Sequence, residues 1–322
     1  MPSSGLVRWG ILGPGSIASR FMRRASEAAN AEVVAVGSRA PERAAAFAAT
    51  HGIARAHGSY EALLDDPAVD AVYIGVPNSV HHLWTMRALA AGKHVLCEKP
   101  YSRHPTEVTD AFDAADRADR LLMEAFMWRH TPQARRFVEL LPEVGALQVI
   151  RATFSFRIDG PVDVRLQADL DGGSLMDVGC YAVSGARLVA GSEPVHVLGE
   201  QSVAPSGVDM TFAGLLRFPG DVIATIGSGF TSDDASLEAV GDANILVMRS
   251  PWQGQARAIW LGDREIPLAP VDPYPLELQN MSAAILGDGQ PLLGRADALG
   301  QARTIAALYE SATTGTAVIV EA

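Results

Sequence analysis

The segment Val7-Arg-Trp-Gly-Ile-Leu12 is a short apolar run that passes without a linker into Gly13-Pro-Gly-Ser-Ile-Ala18, and then into an alternating stretch that reads as a helix through Ala29. A strand feeding straight into a helix N-terminus aims several unpaired backbone N–H groups at one point, so this order commits the chain to a parallel α/β beginning. Gly13 permits the tight turn and Gly15 lets the backbone come close to a phosphate. Ala18 lets the helix lie on the strand, and Ser16 and Ile17 open the helix with free N–H groups. The ligand that suits such a turn is a dinucleotide pyrophosphate.

The second strand, Glu32 to Val36, runs into Gly37-Ser38-Arg39. A binder selective for NAD places a carboxylate here, where it accepts bonds from the ribose 2′-hydroxyl and repels a 2′-phosphate. This chain has Ser38, then Arg39, and one helical turn later Arg43. Paired arginines clamp a phosphate with charge-assisted bonds, so the expected cofactor is NADP, with NAD as the second option. The plainer alternative for Arg39 and Arg43 is a solvated helix start. A third strand, Ala71 to Val76, ends at Pro77-Asn78-Ser79, and a helix from Val80 to Ala91 follows. His81, near the start of that helix, is either a contact for a cofactor phosphate or ribose or a capped, solvated histidine. His82 lies on another helix face, which argues against a shared metal.

A strand from Val95 to Cys97 then closes on Glu98-Lys99-Pro100. In an open α/β sheet, ligands lie beyond the carboxyl ends of the strands. Pro77, Asn78, Glu98 and Lys99 are therefore candidates for cofactor contact, and Lys99 is the first candidate for a catalytic group. The alternative is a Lys that meets only solvent or pairs with Glu98. A helix from Thr106 to Ala118 and a strand from Arg120 to Glu124 complete this half. With 322 residues there is length for two cores, and the expected division is a dinucleotide-binding Rossmann domain over 1–123 and an α+β domain over 124–322.

The second half has longer, alternating strands at Leu147–Arg157, Val195–Val203, Met210–Phe218, Val222–Gly229, Ser236–Val240, Ile245–Met248 and Ala256–Trp260, with a hairpin at Pro219-Gly220-Asp221. The expectation is an open, mostly antiparallel sheet with helices on one face. The other face would leave a large apolar patch, so a homodimer or homotetramer formed through it is expected. Between the first two strands lies Asp171-Gly-Gly-Ser-Leu-Met-Asp-Val-Gly-Cys-Tyr181. Ser174 is a capping candidate, and Asp177 and Tyr181, four apart, would share one helix face. A phenol titrates near 10, too high for a base at neutral pH. A Lys ammonium about 4 Å away, at an effective dielectric of about 20, favours phenolate by about 4 kcal/mol before desolvation, close to three pKa units. Together Lys99, Asp177 and Tyr181 make a proton-transfer set. Without Lys99, Tyr181 reads as a packed core ring.

A net charge of -11 argues against nucleic acid or an anionic membrane as partner. No apolar run reaches the roughly 18 residues that span a bilayer, and Met1 to Arg8 lack a basic segment followed by an apolar one. The cytosol is the expected compartment. The two cysteines, Cys97 and Cys180, sit in apolar settings and suggest neither a disulfide framework nor a zinc site.

The chain resembles the Gfo/Idh/MocA family of nicotinamide-dependent oxidoreductases over nearly its whole length. The segments that carry this are Gly10-Ile-Leu-Gly-Pro-Gly-Ser-Ile-Ala18, Pro77-Asn-Ser-Val-His81, Ala91-Gly-Lys-His-Val-Leu-Cys-Glu-Lys-Pro100, Glu124-Ala-Phe-Met-Trp-Arg-His-Thr-Pro-Gln133 and Gly172-Gly-Ser-Leu-Met-Asp-Val-Gly-Cys-Tyr181. The resemblance implies Lys99 as catalytic lysine and Asp177 with Tyr181 as its partners, Tyr standing where inositol dehydrogenases have His. That substitution is similar to the branch holding dihydrodiol dehydrogenases and NADP-dependent D-xylose dehydrogenases, in which Trp128 and Arg129 would border the nicotinamide. Asp171 departs from the Gly common in relatives. The implied activity is hydride transfer between NADP and a cyclic sugar, at the anomeric carbon, or a diol, with no metal required. A ketone or enone reductase and a cofactor-sensing regulator are the alternatives. Arg129, Arg157, Asp159 and Tyr274 are the guesses for substrate hydroxyl contacts.

Overall fold

The structure is a computed structural model that describes residues 5–160 and 163–321. Its contacts divide into two compact units, the first made of residues up to 102 together with 106–127 and 272–298, and the second of 103–105, 128–271 and the chain from 299 onward.

The first unit is built on six parallel strands, β1 (Val7–Leu12), β2 (Ala31–Gly37), β3 (Arg55–His57), β4 (Ala71–Ile74), β5 (His94–Glu98) and β6 (Leu122–Ala125), in the order β3-β2-β1-β4-β5-β6. Strands β1, β4, β5 and β6 are buried almost throughout because helices cover both faces of a parallel sheet. The helices are α1 (Ser16–Met22), α2 (Pro41–His51), α3 (Tyr60–Leu64), α4 (His81–Ala90) and α5 (Pro105–Ala118). Strand order reverses between β1 and β4, the switch point where this class of sheet binds ligands. The first helix is shorter than the sequence suggests: it stops at Met22, and a 3₁₀ turn over Ala25–Glu27 finishes the crossover, since Val7 already bonds Asn30 at the entry to β2. The short β3 carries too little apolar pattern to be read from sequence.

The second unit contains α6 (Pro132–Leu140), α7 (Cys180–Ala190) and a nine-stranded sheet of β7 (Leu147–Ser155), β8 (His196–Val203), β9 (Asp209–Arg217), β10 (Ile223–Gly229), β11 (Asp234–Gly241), β12 (Ile245–Arg249), β13 (Ala258–Leu261), β14 (Arg264–Pro267) and β15 (Val318–Ile319). The order is β14-β13-β12-β11-β7-β10-β9-β8-β15, and among the described residues only β7 and β10 pair in parallel. The seven strands expected from alternation are present with ends moved by at most a few residues, and the hairpin turns at Pro219–Asp221 as its Pro-Gly-Asp composition demands. Edge strands β14 and β15 are additional. Helices α8 (Tyr274–Leu286) and α9 (Arg295–Thr314) follow the sheet, with α8 counted in the first unit.

Register explains the two faces of this sheet. One row across the strands reads Gly199, Gly214, Ile226, Ala152, Leu237, Met248, Ile259, Ile266, and the adjacent row reads Leu198, Leu215, Thr225, Arg151, Glu238, Val247, Trp260, Glu265. The first row faces α7 and the second half of α9 and is buried from Ala152 through Ile259. The second row faces outward and leaves Leu198, Leu215 and Trp260 exposed at 37%, 46% and 40%. A one-residue slip would exchange the rows, so the buried face fixes the pairing.

Candidate active site

In the first unit the glycine turn has the required backbone. Gly13 has φ +98, and a Cβ there would stand 2.9 Å from Val76 and 3.1 Å from the Gly75 carbonyl, so any side chain is barred. Its N–H donates to Gly37 O at the end of β2 (3.2 Å), which ties the turn to the ribose-reading corner. A Cβ on Gly15 would come no closer than 3.9 Å to the Gly75 carbonyl, its nearest neighbour, so the space that this glycine opens is for a ligand. Ser16 and Ile17 begin α1, with Ser16 exposed and Ile17 half-buried. Ser38 is buried and its hydroxyl accepts from Ala40 N, which shapes the corner. Arg39 is exposed and makes no side-chain bond among the described residues, while Arg43 reaches back to Pro14 O at 3.5 Å. The turn, the helix start and these two cations fit a phosphorylated dinucleotide.

Pro77 and Asn78 lie half-buried just beyond β4, with Asn78 opening a 3₁₀ turn. His81 is corrected. It is fully buried, and its two ring nitrogens face Pro100 O (3.0 Å) and Val76 O (2.9 Å), so neither is offered to a cofactor. Burial pushes its pKa down to about 4 against those carbonyls, which raise it. At the end of β5 the Glu98 carboxylate is buried. One oxygen accepts from Tyr73 Oη at 2.5 Å and the other from Lys99 N at 3.2 Å. Lys99 is half-buried, and the Lys99–Pro100 peptide is cis. Behind Glu98, Phe21 stacks on Tyr73 with centroids 4.0 Å apart and meets Tyr274 edge-on. Tyr274 thus packs its ring in this layer. Glu277, one turn further along α8, is fully buried with neither oxygen hydrogen-bonded among the described residues, and burial followed by the charge of Glu98 holds its pKa well above the ordinary carboxyl range. Cys97 is buried with its thiol pushed up by burial, which leaves no reactive thiolate.

In the second unit, Leu175–Gly179 is a π-helical turn that continues as α7 from Cys180. The expected helix face shared by Asp177 and Tyr181 is therefore altered, since the π turn is wider than 3.6 residues. Ser174 precedes the turn without capping it: its hydroxyl donates to Asp209 Oδ2 at 2.7 Å. The cap comes from β9 instead. Asp209 Oδ2 also accepts Leu175 N at 2.7 Å, and Oδ1 accepts from Tyr309 Oη at 2.8 Å. Burial raises the pKa of Asp209, opposed by these donors. A Cβ on Gly173, at φ +119, would stand 2.2 Å from Asp209 Oδ1, so the loop can close only with glycine. Tyr181 is buried with its ring edge-on to Phe154 at 5.4 Å and tilted to Trp252 at 6.1 Å, which holds the phenol in one orientation.

Asp177 Oδ2 accepts from Arg165 Nε at 2.7 Å, and Arg165 also engages Asp163. Trp128 is corrected: it is fully buried edge-on against Trp252 at 5.0 Å, so it supports the site without a surface to offer a nicotinamide. Arg129 lies over the Trp128 ring and donates to Ser184 Oγ at 3.3 Å. Arg157 pairs with Asp233 at the surface and Asp159 is exposed. Asp171 pairs with Arg103 at 2.9 Å. Sequence reasoning missed Arg165, Asp209, Phe154, Trp252 and Glu277. The only advance signal was a carboxylate, Asp209, opening a strand otherwise apolar on its inward side.

A nucleotide-binding parallel sheet at its switch point, with a second sheet unit that carries an Asp and a Tyr on one buried segment, defines a dinucleotide-dependent oxidoreductase of two domains. The chain belongs to the Gfo/Idh/MocA oxidoreductases: the family model for the oxidoreductase family, NAD-binding Rossmann fold, matches residues 7–126, and the model for the GFO/IDH/MocA C-terminal domain matches 139–247. It is 37% identical to D-xylose 1-dehydrogenase (NADP(+)) 2 of Haloferax volcanii, across 97% of this chain and 99% of that one. It is 35% identical to human trans-1,2-dihydrobenzene-1,2-diol dehydrogenase, across 82% and 81%. The structure of aldose-aldose oxidoreductase from Caulobacter crescentus, complexed with glycerol, is similar with a TM-score of 0.90 at 30% identity, covering 98% of this chain and 99% of that one.

Proposed function

We propose that the chain is an NADP-dependent dehydrogenase that transfers hydride between the nicotinamide and a neutral cyclic sugar at its anomeric carbon, or a diol. The observation that carries this reading is the Asp177–Tyr181 segment, in which the phenol is fixed by Phe154 and Trp252 and the carboxylate by Arg165. Gly13, Gly15, Ser16 and Ile17 bind the pyrophosphate, Arg39 and Arg43 with Ser38 receive the 2′-phosphate, and Pro77, Asn78 and Arg129 border the rest of the cofactor. When bound, the cofactor supplies the hydride acceptor. Tyr181 takes the substrate hydroxyl proton, Lys99 favours the phenolate and stabilises the developing alkoxide, and Asp177 orients the pair. Glu98 fixes the backbone of Lys99. The sequence division near residue 124, with cofactor read by the first part and substrate by the second, belongs to the same proposal. So does the cytosol as compartment: among the described residues no helix is long and apolar enough to cross a membrane.

Retention of Lys99, Asp177 and Tyr181 together speaks against a regulator that only senses the cofactor, for which the glycine turn would suffice. Absorbance of the reduced nicotinamide, followed with NADP⁺ or NAD⁺ and a panel of pentoses, hexoses and diols, tests the reading. Turnover is expected with an aldose and NADP⁺, and Tyr181→Phe should lower kcat by roughly a hundredfold or more while NADP⁺ affinity stays within about twofold. Full turnover in that variant, or cofactor binding with no turnover on any substrate, would overturn it.

A further inference from the structure

We infer that Arg165 is a substrate-recognition residue that binds one hydroxyl of a neutral polyhydroxy substrate next to Asp177. The inference rests on the reading above and adds a residue to it. Arg165 lies in the loop between β7 and the π turn, outside every segment that carries the family resemblance. Its Nε donates to Asp177 Oδ2 at 2.7 Å, and Nη1 donates to Asp163 Oδ1 and Oδ2 at 3.2 and 3.3 Å. Nη2 makes no hydrogen bond among the described residues, and the side chain remains 37% exposed. A guanidinium is a planar fork whose donors are fixed once two of its nitrogens are held, so the third edge is already oriented. Its main chain is held too: Arg165 O accepts from Gly173 N at 2.9 Å, and its N–H donates to Asp163 Oδ1 at 2.9 Å.

The surroundings choose the ligand class. The guanidinium carbon lies over the half-buried Phe156 ring, 5.5 Å from its centroid, and that ring is edge-on to Phe230 at 5.5 Å. Two aromatic rings next to a fixed donor suit a sugar, whose C–H bonds meet apolar surface while its hydroxyls meet the polar edge. Asp163 and Asp177 already balance the guanidinium locally, so Nη2 offers a hydrogen bond more than a charge, and the match is a neutral hydroxyl, which accepts from Nη2 and donates to a carboxylate oxygen.

The experiment uses the full chain with NADP⁺, D-xylose and its 2-, 3- and 4-deoxy analogues, read as kcat/KM and, independently of turnover, as saturation-transfer NMR binding of the same sugars. In the wild type, removal of the hydroxyl that Arg165 binds leaves a fixed donor unpaired and should cost about ten- to a hundredfold. Arg165→Leu should weaken D-xylose by a similar factor and lose no more on that one analogue, while the penalties for the other two deoxy positions persist. Arg165→Lys, which keeps the charge and the Asp177 pair but not the fork, should blunt the same position selectively. NADP⁺ affinity and the melting temperature report on folding in both variants. A uniform loss across all sugars, or none, overturns the inference and leaves the dehydrogenase reading standing. Position-selective loss in binding, with no aldose turned over by the wild type, sustains the inference and overturns that reading.

Discussion

At the corner after β2, Arg39 stands exposed and unbonded among the described residues, Arg43 is one turn away, and Ser38 stands where a carboxylate would select NAD. A dinucleotide with a 2′-phosphate gains charge-assisted bonds there that NAD lacks. Arg39→Asp should therefore reduce the ratio of kcat/KM for NADP⁺ over NAD⁺ by about ten- to a hundredfold, read from initial rates at saturating sugar. An unchanged ratio would move the 2′-phosphate elsewhere. At the same scale, His81 and Trp128 show why motif residues are not all ligand contacts. Each stands inside a segment that carries the family resemblance, yet His81 holds Val76 and Pro100 together and Trp128 backs Trp252.

The element that matters most is the π turn leading into α7. Its N-terminus is held from β9, since Asp209 accepts both Leu175 N and Ser174 Oγ. Asp209→Ala leaves the Leu175 N–H buried without an acceptor and the Ser174 hydroxyl with Ser228 Oγ alone. It should lower the free energy of unfolding by about 1–3 kcal/mol, and kcat with it, because Asp177 and Tyr181 ride on the same turn. Asp209→Asn keeps an acceptor for Leu175 N and should recover most of both, as urea midpoints and turnover will show. The helix expected over this segment is right in place but not in pitch. Four-residue spacing suggests a shared face only if the helix is α, and nothing in Leu-Met-Asp-Val-Gly announces a wider turn. The glycine turn and the seven alternating strands are legible because local period and turn chemistry decide them. Arg165 and Asp209 are not, because their partners lie 12 and 34 residues away in sequence and only the folded loop brings them together.

For the whole molecule, the outward row of the nine-stranded sheet is the feature that demands company. Leu198, Leu215 and Trp260 are exposed along it, and Ile223 and Ile245, two residues before Thr225 and Val247 of the row, share that face at 38% and 43% exposure. We propose that a second copy of the chain covers this face, as a dimer or within a tetramer. Leu215→Arg combined with Trp260→Arg should lower the mass seen in sedimentation velocity without loss of secondary structure, whereas an already monomeric wild type would refute the proposal.

Glu277 has a consequence for the conditions the molecule tolerates. A carboxyl kept neutral in the fold ionises freely once the chain is unfolded, above its ordinary value of 4.5. From there upward the unfolded state holds fewer protons than the native one, so each pH unit removes up to about 1.4 kcal/mol of stability until the native group itself lets go of its proton. Glu277→Gln carries no such proton, so its stability should gain on the wild type as the pH rises above 5 in urea titrations; parallel curves would mean that Glu277 is charged in the native state. Neutral-pH life thus asks this enzyme to carry an acid in its acid form, and this one carboxyl makes the fold more sensitive to base than its Gln variant.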